Sequence, residues 1–183
     1  MGIRDRWINF LYRAATGSRK LRTLLTPVGI TAFGIFTGLF VALAIFLDRW
    51  LAWYWPISDN FSWIISGFLI AIGIGEVIWS VSYFLKVRGT PVPFNPPPEL
   101  VKTGPYRYTR NPMLTGVFLL LFGIGFAIKS LSLVVFFTPL FIIANVWELK
   151  HIEEPELVRR LGEKYIAYRQ QTPMFIPYMG LKR

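Results

Sequence analysis

Long apolar runs separated by short basic segments dominate this chain. The first, Val28 to Leu47, holds about 20 residues without a charge, which at 1.5 Å per residue covers a hydrocarbon core of roughly 30 Å. The second, Phe61 to Leu85, is long enough to cross with tilt and carries one acid, Glu76. Met113 to Ile128 and Leu131 to Trp147 are shorter, about 16 to 17 residues each, and only Lys129 and Ser130 divide them. They predict a tight helical hairpin whose turn reaches the far headgroups. Outside these runs the pattern turns amphipathic. Trp7, Phe10, Leu11, Ala14 and Ala15 recur at helical spacing among arginines, as in a helix lying in the headgroup plane. From Glu153 to Gln171, Leu157, Leu161, Tyr165 and Tyr168 share one face, predicting a helix packed on the membrane surface. Trp50, Trp53, Tyr54 and Trp55 read as an interfacial aromatic belt. The expected fold class is therefore all-α: a polytopic membrane protein with about four transmembrane helices, an N-terminal amphipathic interfacial helix and a C-terminal surface helix. No internal repeat or low-complexity linker divides it, so 1–183 is expected to be a single membrane domain, with an interfacial helix in 1–26 and two spans in 27–85.

Composition supports lipid as the solvent, at 54% hydrophobic and 17% aromatic residues. The absence of cysteine excludes disulfides, thiolate metal sites and a cysteine nucleophile. A single histidine, His151, leaves no metal site to expect. The net charge of +10 has its meaning in its placement. Arg4, Arg6, Arg13, Arg19, Lys20 and Arg22 precede the first span; Lys86, Arg88, Lys102, Arg107 and Arg110 lie between the second and third; further basic residues fill the tail. The other two gaps hold only Arg49 and Lys129. The positive-inside rule then predicts a multi-pass protein with both termini and the 86–110 segment in the cytosol, and membrane lipids rather than nucleic acid as partners. The late start of the first apolar run argues against a cleavable signal peptide.

Three features carry possible chemistry. Gly89 to Pro112 reads GTPVPFNPPPELVKTGPYRYTRNP. Its prolines remove amide donors and forbid a helix, and a long irregular connection of this kind in a compact protein is commonly functional. Arg107 and Arg110 flank Tyr108, and Pro112 suits the first turn of the next helix, where a carboxylate ligand is favoured. Glu153 and Glu154, followed by Pro155, return at the same face after the fourth span; they read either as the acidic start of a helix or as a grip for a cation or ribose hydroxyls. Glu76 is the one ionisable residue within an expected span, a site candidate by default, although Gly73 and Gly75 before it equally suit close helix packing.

The run LVKTGPYRYTRNPMLTG from Leu100 to Gly116, with EEPELVRRLGEKYIAYRQQTPMFIP from Glu153 to Pro177, resembles the isoprenylcysteine carboxyl methyltransferase and phospholipid methyltransferase superfamily. The resemblance covers Gly89 to Pro177, and its two motifs occur in the expected order. It implies that 86–183 is the cofactor-binding catalytic half and that the cofactor is S-adenosylmethionine. Cofactor contacts are implied from Pro98, Glu99, Leu100, Val101, Tyr106, Asn111, Pro112, Met113, Leu114 and Glu153. Arg110, Asn111 and Glu154 are the implied catalytic residues. Two departures stand out: the family's frequent Arg-His-Pro-x-Tyr is here Arg110-Asn111-Pro112-Met113-Leu114, and the place of a substrate-facing arginine before the acidic pair is taken by Leu149.

The reaction implied is methyl transfer to a lipid or lipid-like small molecule at the cytosolic face. A carboxylate acceptor needs no base, and Arg110 would orient it through paired hydrogen bonds. An amine must lose a proton, with Glu154, Glu76 or His151 as candidate base, whereas Asn111 can hydrogen-bond but cannot take that role. The alternatives are a prenylcysteine carboxyl methyltransferase proper and a non-catalytic scaffold or lipid-binding member of the fold. The acceptor atom and the oligomeric state are left open.

Overall fold

A computed structural model describes residues 2–87, 89–90, 94–97 and 99–177, and every regular element among them is helical. The first helix, α1 (Ile3–Thr16), starts where the Asp5 carboxylate accepts from the Gly2 amide at 3.1 Å. The chain breaks at Gly17 and Ser18, and the Ser18 hydroxyl oxygen caps α2 (Arg19–Leu51) by accepting from Leu21 N. The helix therefore starts well before Val28 and runs through Pro27, whose missing N–H it accommodates. After the aromatic belt, α3 (Asp59–Lys86) begins, and Trp55 Nε1 donates to Ser62 Oγ at 2.8 Å. The short 3-10 turn Gly104–Arg107 leads into α4 (Pro112–Ala127), with Pro112 in the first turn as expected.

Two neighbouring helices show why small residues interrupt the apolar runs. Ser62, Ser66, Gly73 and Ser80 are the buried residues of α3, and Gly73 among them meets α4. A Cβ on Gly116 would stand 2.8 Å from the Gly73 carbonyl oxygen, and a Cβ on Gly73 would stand 2.8 Å from that of Gly116. The backbones touch there, which apolar surroundings reward through dispersion rather than a hydrophobic drive. Phe118, Leu121 and Phe141 form the core beside this seam, with Phe40 and Val41 of α2 packed on it.

The expected hairpin after α4 is present. Lys129 takes a left-handed conformation at the turn (φ 54°), and its ammonium pairs with Asp59 at 2.8 Å. Asp48, at the end of α2, accepts from the Ser130 hydroxyl and from Ser132 N. The returning helix is longer than the apolar run: Leu133–Leu161 is continuous over 29 residues. It comprises a π turn (Leu133–Phe137), α5 (Thr138–Glu148), a second π turn (Leu149–Glu153) and α6 (Glu154–Leu161). Pro139 and Pro155 each follow a π turn, whose wider backbone absorbs the missing donor. Glu153 and Glu154 thus lie inside a long helix rather than at the start of a new one. Gly162 (φ 57°) breaks the expected tail helix, and α7 (Glu163–Gln171) follows.

Lys20–Leu51, Asp59–Lys86 and Leu133–Leu161 are long and apolar enough to cross a membrane. The fourth apolar helix, α4, has 16 residues, about 24 Å at the α-helical rise. At one end of this bundle α1 folds back onto α6. Leu11, Ala14 and Ala15 are buried in that contact, the Arg159 guanidinium lies 4.2 Å over the Tyr12 ring, and Arg159 donates to Asn9. Ile3, Trp7 and Phe10 stay exposed, so the helix has a protein-facing and an outward apolar side.

Candidate functional site

Side chains from eight stretches of the chain meet at the end of the bundle where α3 stops and α4 begins, around a cavity of about 100 Å³. The proline-rich connection supplies Pro96, Pro97, Glu99, Leu100 and Val101, and the 3-10 turn supplies Tyr106. Arg110 and Asn111 come from the entry to α4; Leu149, Glu153 and Glu154 come from the second π turn and the residue after it. Farther along, Glu156, Leu157 and Arg160 of α6 and Tyr165 and Tyr168 of α7 close the wall, with Leu11 of α1 and Phe84 of α3 at its edges.

Local backbone chemistry places these groups. Gly104 adopts φ +61°, and a Cβ there would collide with the Tyr83 ring, so only glycine lets the 3-10 turn rest on α3. That turn buries Tyr106, whose ring meets Phe84 edge-on at 5.0 Å. Its carbonyl accepts from the Tyr168 hydroxyl at 2.6 Å, tying α7 to the turn. The segment after α7 returns to α4: Arg110 N donates to Pro173 O and Asn111 N to Met174 O, at 2.9 and 3.2 Å. Asn111 precedes α4 but does not cap it with its side chain; its amide donates to the Met174 carbonyl at 3.4 Å. The π turn adds a residue to the helical register, which allows the adjacent Glu153 and Glu154 both to reach the cavity.

The charges are arranged in pairs with spare hydrogen-bonding capacity. Arg110 Nη1 lies 2.8 Å from Glu154 Oε1, both side chains nearly buried. The contact is ionic and not well directed, because Arg110 Nε and Nη1 and Glu154 Oε1 complete no hydrogen bond among the described residues. Arg169 reaches the other Glu154 oxygen at 3.5 Å. Arg160 pairs with Glu156 one turn back at 2.8 Å and also donates to Pro97 O. Glu153 enters no salt bridge among the described residues. Burial pushes the hydroxyls of Tyr106, Tyr165 and Tyr168 above the ordinary tyrosine range, so all three are protonated donors at neutral pH.

Of the residues implied from sequence, Glu99, Leu100, Val101, Tyr106, Arg110, Asn111, Glu153 and Glu154 come together around the cavity. Pro98 lies outside the described residues. Pro112 is buried in the first turn of α4, Met113 is off the cavity wall, and Leu114 packs on the Phe118–Phe141 core. His151 is on the outside, its ring stacked on Trp147 at 5.1 Å. Leu149 is buried in the wall. The tail face expected on the membrane is turned inward instead: Leu157, Tyr165 and Tyr168 line the cavity. Its apolar-plus-hydroxyl character was the available signal, since periodicity reports a buried face without saying what buries it.

Compared with known proteins, residues 61–164 match the phospholipid methyltransferase family, a stretch that contains α3, α4, α5, α6 and most of the cavity wall. A methanethiol S-methyltransferase from Crocosphaera subtropica is 32% identical over 100 residues, 55% of this chain and 35% of that relative. The match thus spans about a third of the relative's length. No solved structure matches the chain. With more than half of its 183 residues covered, and with the first sequence motif and the Glu153–Glu154 pair of the second meeting at one cavity within that match, the chain belongs to the phospholipid methyltransferase family.

Proposed function

We propose that this protein transfers the methyl group of S-adenosylmethionine to a lipid or lipid-like acceptor at the cytosolic face of a membrane that α2, α3, α4 and the Leu133–Leu161 helix traverse. The observation that carries this reading is the convergence of the proline-rich connection and the Glu153–Glu154 pair on one cavity, inside the family match. The orientation rests on charge: the cavity lies at the Lys86 end of α3, with the basic segments, while Asp59 and Lys129 mark the opposite end.

The residues fit the cofactor chemically. The Arg110 guanidinium, whose Nε completes no hydrogen bond among the described residues, suits the cofactor's carboxylate, and the Glu154 carboxylate, ion-paired with Arg110, suits its amino group. Glu153 offers a carboxylate to ribose hydroxyls, and the faces of Tyr106, Phe84, Tyr165 and Tyr168 suit adenine and a sulfonium cation. When bound, the cofactor supplies an electrophilic methyl whose leaving group needs no further activation. The chain's own part is to align donor and acceptor and to exclude water with Leu100, Val101, Leu149 and Leu157. At about 100 Å³ the cavity is smaller than the roughly 300–1,000 Å³ of most ligand pockets, so its walls separate to admit a nucleoside.

A thiol acceptor is a second reading, favoured by the similarity to the methanethiol S-methyltransferase of Crocosphaera subtropica. The prenylcysteine reading has no cation at Leu149 to support it. Titration of the purified protein with S-adenosylhomocysteine should give saturable heat that Glu153→Ala and Tyr106→Ala weaken at least tenfold, and labelled methyl should enter a membrane-lipid extract. Absence of binding, or binding indifferent to both substitutions, refutes the site. Binding without transfer to any lipid, amine or thiol supports the non-catalytic alternative.

A further inference from the structure

Beside the cavity, one and two turns before Phe84, α3 carries two polar groups that the cofactor reading does not use. Glu76 Oε2 and Ser80 Oγ are both buried without a hydrogen-bond partner among the described residues. They stand one helical turn apart on the face that meets α4, since the Glu76 Cβ lies 3.0 Å from where a Cβ on Gly116 would be. Both lie on the approach to Tyr106, whose ring meets that of Phe84, one turn after Ser80, at 5.0 Å. Tyr106 thus borders both, lining the cavity beside the end of α3 that carries Ser80 and Glu76. Outside the pair, Trp79 and Tyr108 are exposed and their rings lie 6.5 Å apart.

An orphaned carboxylate oxygen inside an apolar helix pair is costly unless something fills it. Close packing alone does not account for it, because only the Glu76 Cβ takes part in the contact with Gly116 and the carboxylate is not needed for it. Resting on the methyl-transfer reading, we propose that Glu76 and Ser80 form the acceptor subsite, which takes the proton-bearing nucleophile, an amine or a thiol, of a molecule whose apolar body lies against Trp79 and Tyr108. The carboxylate accepts a hydrogen bond from that group and orients its lone pair past Tyr106 into the cavity. As the lone pair forms its bond to the methyl carbon, the donor's carbon–sulfur bond breaks with its electron pair remaining on sulfur, and the acceptor's proton passes to Glu76. A carboxylate acceptor is disfavoured at this place by like charge.

The test uses the full chain in phosphatidylcholine nanodiscs, with n-dodecylamine and n-dodecanethiol as the two acceptor probes. Glu76→Gln should lower kcat for the accepted probe at least tenfold while leaving the Kd for S-adenosylhomocysteine within twofold; Ser80→Ala should raise KM several-fold with a smaller change in kcat. Whichever probe is turned over identifies nitrogen or sulfur as the acceptor atom. Infrared difference spectra without cofactor give an independent readout: the accepted probe should shift a carboxyl band that Glu76→Gln removes. Wild-type rates in both variants overturn the subsite, as does a carboxyl spectrum indifferent to both probes. Should Glu76→Gln fail to fold, the Ser80→Ala kinetics and the wild-type spectrum decide. A wild-type protein that fails to bind S-adenosylhomocysteine overturns the methyl-transfer reading instead, a result distinct from normal cofactor binding with an idle Glu76.

Discussion

Removing the Glu154 carboxylate while keeping its shape, as in Glu154→Gln, tests whether the charged cluster is an electrostatic unit or incidental. In the native protein the Arg110 side chain is 11% exposed and its partner Glu154 10%, with 2.8 Å between the charged atoms. The second cation, Arg169, is 3.5 Å away and 42% exposed, so solvent screening reduces that contact to less than about 1 kcal/mol. The loss therefore falls on Arg110, left as a nearly buried guanidinium without its counter-ion. Breaking such a pair from one side costs about 3–5 kcal/mol, and the residual exposure of both groups favours the lower end, about 3 kcal/mol. Replacing both partners by apolar residues, Arg110→Met with Glu154→Leu, removes the stranded charge and should return stability to within about 1 kcal/mol of the parent. Unfolding by sodium dodecyl sulfate in mixed micelles, followed by near-ultraviolet circular dichroism, measures all three proteins. Calorimetric titration with S-adenosylhomocysteine should find no binding to the restored double variant, separating the pair's part in the site from its part in the fold. A Glu154→Gln protein within about 1 kcal/mol of wild type would refute the reasoning, as would a double variant less stable than the single one.

Two further outcomes follow from packing and ionisation. Gly116→Leu places a branched side chain where even a Cβ meets the Gly73 carbonyl at 2.8 Å; backbone cannot yield as a side-chain tip does, so the cost should be at least about 2–3 kcal/mol in the same unfolding assay, and a neutral result would show that α3 and α4 are not in backbone contact. The raised tyrosine hydroxyls set an alkaline limit: Tyr106, Tyr165 and Tyr168 stay protonated in the folded chain while their unfolded counterparts ionise near pH 10. The stability they confer is present below that pH and lost as pH rises above it toward the folded values. Spectrophotometric titration of phenolate absorbance should show the triple Phe variant losing only late-titrating groups; loss of groups titrating near pH 10 would contradict burial.

Much of this architecture is dictated by local composition. Runs such as Val28–Leu47 and Phe61–Leu85 have no charge-free alternative to a helix in an apolar medium, because every backbone donor must be satisfied within the segment. The hairpin at Lys129–Ser130 is equally local, since two charge-poor runs leave only that place to turn. Pro112 opened α4 as its fixed φ requires. The site's main groups, Tyr106, Arg110, Glu153 and Glu154, were legible because two motifs name them, and the cavity brings them together.

What only the tertiary structure decided depends on what each face meets. The tail's amphipathic period specifies a buried face; that α7 turns Tyr165 and Tyr168 into the cavity follows from the Gly162 break and the Tyr168–Tyr106 hydrogen bond. The Glu-Glu-Pro sequence suits a helix start, and the π turn that instead carries the helix through it depends on a register that no short window encodes. Leu114, next to Pro112 and Met113 in the motif, packs on Phe118 rather than the cavity because α4 rotates it toward the core. That the end of α3 carrying Ser80 lies beside Tyr106 requires α3 and the 3-10 turn to be in contact, which Gly104 permits. Hydrophobicity and chain stiffness act over a few residues and set the helices; charges and hydrogen bonds act only once the helices are in place, and the site is made of these.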